Sequence, residues 1–258
     1  MHGRWGKGSS IYTGATVWTL STFMWTMSTL LRLVDAVHYF VVMVNTSADA
    51  VSEAGRRRPR GAVRDGLLAA GVELARTGGP GAVVLREAAR MVGVVPNAAY
   101  RHFADRDELL AAVCAEALGE LAARMAVDVA RVRGAYGDAG AARRRIRALF
   151  RAYLEFAHAE PGLFATAFAL PHQHAYGAGD LDSRKGPLPL DQLRMALDEL
   201  VNAGVLDPER RAGIEYPIWS TVHGLAVLSE QGPLREVPDA ARRRLEESTR
   251  AFIEAGLA

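Results

Sequence analysis

Asn97, Tyr100, Arg101 and His102 stand within six residues of one another, and Arg106 follows shortly after. Each carries a hydrogen-bonding tip that a packed core does not want. The amide of Asn97 can pair with adenine, and the guanidinium of Arg101 can read guanine or hold a phosphate. Tyr100 and His102 suit phosphate oxygens, which fix register without carrying sequence information. Pro96 and Ala98 offer small apolar surfaces for thymine methyls. The chemistry these residues support is recognition of duplex nucleic acid, with no bond made or broken.

Such side chains need elements that aim them. Leu85, Ala88, Ala89 and Val92 recur at helical spacing and predict a helix ending at Gly93. Pro96 fits the first turn of a second helix, expected over residues 96–103. Asp105 and Glu108 have the spacing of a capping box at the start of a third. Its N-terminal amides and dipole, with Arg106 beside them, suit a phosphate. A helix-turn-helix whose second helix is polar is a candidate DNA reader. The competing reading is a plain helical hairpin with a solvated face.

The stretch resembles the reader of TetR-type bacterial transcriptional regulators. The resemblance lies in Arg86-Glu87, Gly93-Val94, Tyr100-Arg101-His102-Phe103 and Asp105-Arg106-Asp107-Glu108-Leu109-Leu110, and spans about residues 56–113. It implies that Tyr100, His102 and Arg106 hold phosphates. Two positions depart from the family pattern: Val84 and Val95 stand where a hydroxyl residue commonly caps the second helix and opens the recognition helix. A phosphate contact is missing at each.

Half of the 258 residues are apolar, enough for a sizeable core, and no alternating β pattern extends beyond a few residues. The expected fold class is all-α. An N-terminal three-helix helix-turn-helix domain (56–113) is joined to a larger helical regulatory and dimerisation domain (114–258). The net charge of +2 is uneven: residues 56–113 hold ten basic and six acidic side chains, whereas residues 114–258 hold eighteen and twenty. A basic excess on the reader is what nucleic-acid binding requires. Cys114 is the only cysteine, which excludes an internal disulfide and fits a reducing cytoplasm.

Residues 1–55 differ in kind. They contain Trp5, Trp18 and Trp25, and residues 8–31 carry no charge, a length that can span a bilayer. Two readings stand: a disordered extension or an upstream start-site artefact, with Met43 as an alternative start, or a membrane anchor that would make this a tethered regulator or sensor. Arg56 to Arg60 read as a solvated linker or as an arm in which Arg58 and Arg60 neutralise phosphate or reach a minor groove.

Downstream, apolar periodicity predicts helices at about 62–76, 107–132, 141–159, 190–203, 208–230 and 238–255, with a short one after Pro161. Arg143, Arg144, Arg145 and Arg147 read as a solvated helix end, and residues 171–189 as a loop. Trp219 and His223-Gly224 resemble the Trp…His-Gly signature of one regulatory domain carried by TetR-type proteins. Leu121, Met125, Tyr153, Phe164, Phe168, Met195, Trp219 and His223 are candidates to line an effector cavity, against the simpler reading that they are core.

His158, His172, His174 and His223 lack zinc-type spacing, so no metal or other cofactor is expected. Ser220 and His223 lack an acid partner, and no nucleophile elbow or Walker loop occurs, so an enzyme is not expected. The partners implied are an operator duplex, an unidentified small-molecule effector and a second copy docking through the last two long helices. Apolar candidates for that contact are Ile218, Val222, Leu225, Leu228, Leu245, Phe252 and Ile253.

Overall fold

The computed structural model describes residues 61–170 and 186–257. Among them are nine α-helices and a 3₁₀ turn, and no strand. Helix α1 (Ala62–Ala82) buries Leu67, Ala70, Gly71 and Ala75. It runs beyond the predicted end at residue 76. Gly79, at a φ of 66°, breaks the ladder as a kink, and Pro80 follows where the chain has already bent.

Helix α2 (Leu85–Val92) buries Leu85, Ala88 and Ala89, as its period predicts. It closes on left-handed Gly93 in a Schellman arrangement, with Gly93 N–H donating to the Arg90 carbonyl at 3.2 Å and Val94 N–H to Ala89 at 3.0 Å. Helix α3 (Pro96–Ala99) is shorter than the predicted 96–103. Beyond Ala99 the bonding tightens to three-residue spacing, Arg101 to Ala98 and His102 to Ala99, so residues 100–102 are turns. Phe103 is fully buried and pins this turn, with the Arg64 guanidinium 4.9 Å from its ring centre.

Helix α4 (Arg106–Ala130) has the expected cap. Asp105 accepts from Glu108 N–H at 2.8 Å, and Glu108 accepts from Ala104 N–H at 2.6 Å. At 1.5 Å per residue it is about 37 Å long. Its buried face runs through Leu110, Val113, Ala117, Leu121 and Met125.

Helices α5 (Ala139–Ala159), α6 (Pro161–Ala167), α7 (Pro189–Asn202), α8 (Glu215–Glu230) and α9 (Asp239–Leu257) complete the body. The helix expected over 208–230 is split. A 3₁₀ turn at Pro208–Arg210, capped by Asp207, is separated from α8 by left-handed Gly213 at φ 76°. The arginines of α5 are not simply solvated. Arg145 forms a largely buried ion pair with Glu199 of α7, and Arg147 grips Glu254 of α9 with two hydrogen bonds of 2.6 and 2.8 Å.

Helix α1 packs on α2, α4 and α6, while α4 lies against α5, α6 and α7. Helix α8 rests on α5, α7 and α9. One apolar core therefore runs without a break from the reader helices into the body. Short α6 sits at the join. A Cβ on Gly162 would collide with the backbone carbonyls of Ala75 and Arg76, so glycine permits this close approach. Arg76 spans the same junction, 2.5 Å from Glu160 at the start of α6 and 3.2 Å from Glu120 of α4.

Candidate functional site

The polar side chains of the reader differ in exposure. Arg86, Pro96, Asn97, Tyr100, Arg101 and Arg106 are exposed, while Ala98 and His102 are partly buried. Ala99 and Phe103, at 0% exposure, anchor the same turn from beneath. The outward residues thus stand on a rigid floor. Arg58 and Arg60 lie outside the described residues.

Two details bear on the phosphate contacts, and the first was not evident from sequence. Arg106 donates to the Pro80 carbonyl at 2.6 Å and lies 3.4 Å from Asp107, so it latches the kink of α1 to the start of α4. The Glu108 amide at the α4 terminus is occupied by the Asp105 cap, which leaves fewer N–H groups for phosphate than a bare helix end. Val84 and Val95 hold N-cap positions with no side-chain cap bond and are 41% and 69% exposed. The hydroxyls missing from the sequence are missing from the surface too.

In the body, Tyr153, Phe164, Phe168, Trp219 and His223 come together as one ring cluster. Trp219 Nε1–H donates to the Tyr153 hydroxyl at 3.3 Å, and that hydroxyl lies 2.8 Å from His223 Nδ1. Burial pushes the Tyr153 phenol up and holds the His223 imidazole below its ordinary value of 6.5. Beside the rings is a small gap of about 20 Å³, lined by Met125, Tyr153 and Trp219 together with Leu149, Leu193 and Val222 among others. Leu149 and Val222 lie one turn from the predicted lining residues Tyr153 and Trp219, whereas Leu193 lies on the opposite face of α7 from exposed Met195.

Five of the expected lining residues do not border this gap: Phe164, Phe168 and His223 stand in the ring cluster beside it, and Met195 and Leu121 lie elsewhere. Met195 is 59% exposed, because helical period marks a face but not what covers it. Leu121 is fully buried in the core and does not line the gap. His158 pairs instead with Glu230 at 3.1 Å, and His172 and His174 lie outside the described residues. Buried Cys114 donates to the Thr166 carbonyl at 3.0 Å, and burial pushes its thiol up to about 11.

The expected docking residues also divide. Ile218, Val222, Leu225 and Ile253 are already buried within one chain, whereas Leu228 and Phe252 are 44% and 71% exposed. Ile214, Pro217, Thr221 and Phe252 border an apolar groove of about 440 Å³ between α8 and α9. Among the described residues no helix is long and apolar enough to cross a membrane; the uncharged segment 8–31 lies outside them.

Comparison with known proteins agrees with this geometry. Residues 67–113 match the model described as bacterial regulatory proteins, tetR family, and residues 146–252 match the tetracyclin repressor-like C-terminal domain. Among solved structures, a Rhodococcus sp. RHA1 protein of unknown function is 27% identical. It covers 80% of this chain and 98% of its own at a TM-score of 0.61. A TetR family transcription regulator from Marinobacter aquaeolei VT8 shares the fold at 18% identity, covering 76% of this chain and 97% of its own, with a TM-score of 0.51. No curated protein matches. The two family models lie in the order of reader and body and together span more than half of the sequence, so the chain belongs to the TetR family of DNA-binding transcription regulators.

Proposed function

We propose that the protein is a homodimeric repressor that grips two operator half-sites and releases them when a small molecule enters the aromatic cluster. The observation that carries this reading is the exposed polar set on α3 and its following turn, held over buried Ala99 and Phe103. In this role Asn97 and Arg101 read base edges. Tyr100, His102, Arg106 and Arg86 hold phosphates, and Pro96 and Ala98 touch thymine methyls. Assignment of the body to the Trp-His-Gly type rests on Trp219 and His223 converging on one tyrosine hydroxyl. A repressor of this kind works beside the chromosome, in the cytoplasm, and needs no catalytic step.

A lone reader making a few phosphate contacts holds DNA too weakly to find one site among many, which calls for a symmetric pair. Gly224 supports a partner on α8. Among the described residues nothing lies within 4 Å of the Cβ it lacks, yet glycine inside a helix costs about 0.5–1 kcal/mol against alanine. Close approach by a second copy would account for it, with exposed Leu228 one turn along α8 and exposed Phe252 on α9 as further apolar contacts. Gly224→Ala is expected to raise monomer helix stability and weaken the dimer, and Phe252→Glu to give monomers that lose specific binding. Sedimentation checks both, and a Phe252→Glu protein that stays dimeric would move the interface elsewhere.

The whole reading is tested by selecting bound sequences from random duplex DNA and titrating the winner with salt. An inverted-repeat site with a steep salt dependence is expected. Salt-insensitive binding, or no enriched sequence, would overturn it.

A further inference from the structure

His223 sits at the centre of the ring cluster. The ring centroids of Phe168, Phe164, Trp219 and Tyr153 lie 4.7, 5.5, 6.0 and 6.4 Å from its own. Which of its nitrogens carries the proton follows from its neighbours. The Trp219 indole N–H can only donate, and it gives to the Tyr153 oxygen. Tyr153 is buried, so its own proton needs an acceptor, and His223 Nδ1 is 2.8 Å away. Nδ1 therefore accepts and Nε2 carries the hydrogen. Among the described residues nothing accepts that hydrogen, and the atom is not sealed from the surface. One N–H donor thus stands uncommitted inside a cage of aromatic faces.

The surroundings limit what could take it. Among the described residues, the rings around His223 carry no charge, and no Lys, Arg, Asp or Glu lines the gap that adjoins Tyr153 and Trp219. A charged ligand would lose its hydration there without an opposite charge in return. Aromatic faces favour a flat or ring-bearing occupant. On the effector reading above, we infer that the cluster selects an uncharged, ring-bearing ligand whose carbonyl or ether oxygen accepts the Nε2–H of His223. The gap of about 20 Å³ holds no more than a water, so such a ligand enters by displacing the half-buried rings of Phe168 and Trp219.

The test uses the full chain and four probes of similar size: acetophenone, its hydrocarbon isostere α-methylstyrene, benzoate and benzylammonium. Affinities are measured by calorimetry on the wild type, His223→Phe and His223→Gln. Acetophenone is expected to bind best, and its advantage over α-methylstyrene to shrink about tenfold in His223→Phe, the worth of one hydrogen bond. His223→Gln, which keeps an N–H donor, should retain part of that advantage. Histidine nitrogen NMR of the free protein should show His223 protonated at Nε2 alone. A ketone-to-alkene ratio unchanged in His223→Phe, tighter binding of either ion, or an Nδ1-protonated His223 would each overturn the inference while leaving an effector site in place. Binding of none of the four would overturn the inference and the effector reading together.

Discussion

Arg106 is set to act twice. In the free chain it holds the Pro80 carbonyl at 2.6 Å, and in the proposed complex it holds a phosphate. Arg106→Ala is expected to weaken binding to every duplex alike and to lower the salt slope by about one. Asn97→Ala should leave the slope alone and relax preference at one base pair by about 1–3 kcal/mol. Anisotropy titrations across salt and across site variants check both, and an Arg106→Ala protein with wild-type slope would remove this arginine from the phosphate contacts. Much of the reader was legible at this scale. A run of polar tips between Ala99 and Phe103 announces an exposed face, and an Asp-x-x-Glu pair announces a cap. The Arg106–Pro80 latch was not legible, because its partners lie 26 residues apart and meet only through the kink at Gly79.

Among the elements, α6 has the most consequential place, although it is only seven residues long. Its Gly162 lies against the carbonyls of α1, and Phe164 two residues on is in the ring cluster. Gly162→Ala should force the two helices apart at a cost of about 1–3 kcal/mol, read as a lower melting temperature. A melt identical to the wild type would mean that the junction yields freely. Helix α9 is held differently, by Arg147 on Glu254. That hydrogen bond holds the Glu254 carboxyl below its ordinary 4.5, so its contribution to stability is complete above that pH and fades as the pH falls below it. The melting gap between wild type and Glu254→Gln should therefore be full at neutral pH and close under acid, and a gap independent of pH would contradict this. Helix positions were readable because period alone reports a buried face. Glycine at positive φ decided the split before α8, and residues 54 and 107 apart decided which α5 arginines are paired, neither of which local spacing can report.

Across the described residues, the two candidate sites are linked through the junction of α6 with α1 and α4. Phe164 joins the ring cluster, α6 abuts α1, and Arg76 of α1 holds Glu160 and Glu120 at 2.5 and 3.2 Å. On the proposed reading, a ligand that displaces the rings pushes α6 against α1 and shifts one reader relative to its mate. Two half-sites at fixed spacing then no longer match both readers. The ligand needs a preference of only about 1–3 kcal/mol for the shifted state, since that coupling already changes affinity roughly 5–150-fold. Linkage requires operator DNA to weaken ligand binding by the same factor. Arg76→Ala cuts the ion-pair part of this route without touching either site. Calorimetry of the ligand with and without operator should thus show a large ratio in the wild type and a smaller one in Arg76→Ala, with the ligand's affinity for DNA-free protein little changed. A ligand bound equally well with and without operator is not an inducer, however tight. A ratio unaltered by Arg76→Ala would place the coupling in the α4 contacts with the cluster, through Met125, instead of at this junction.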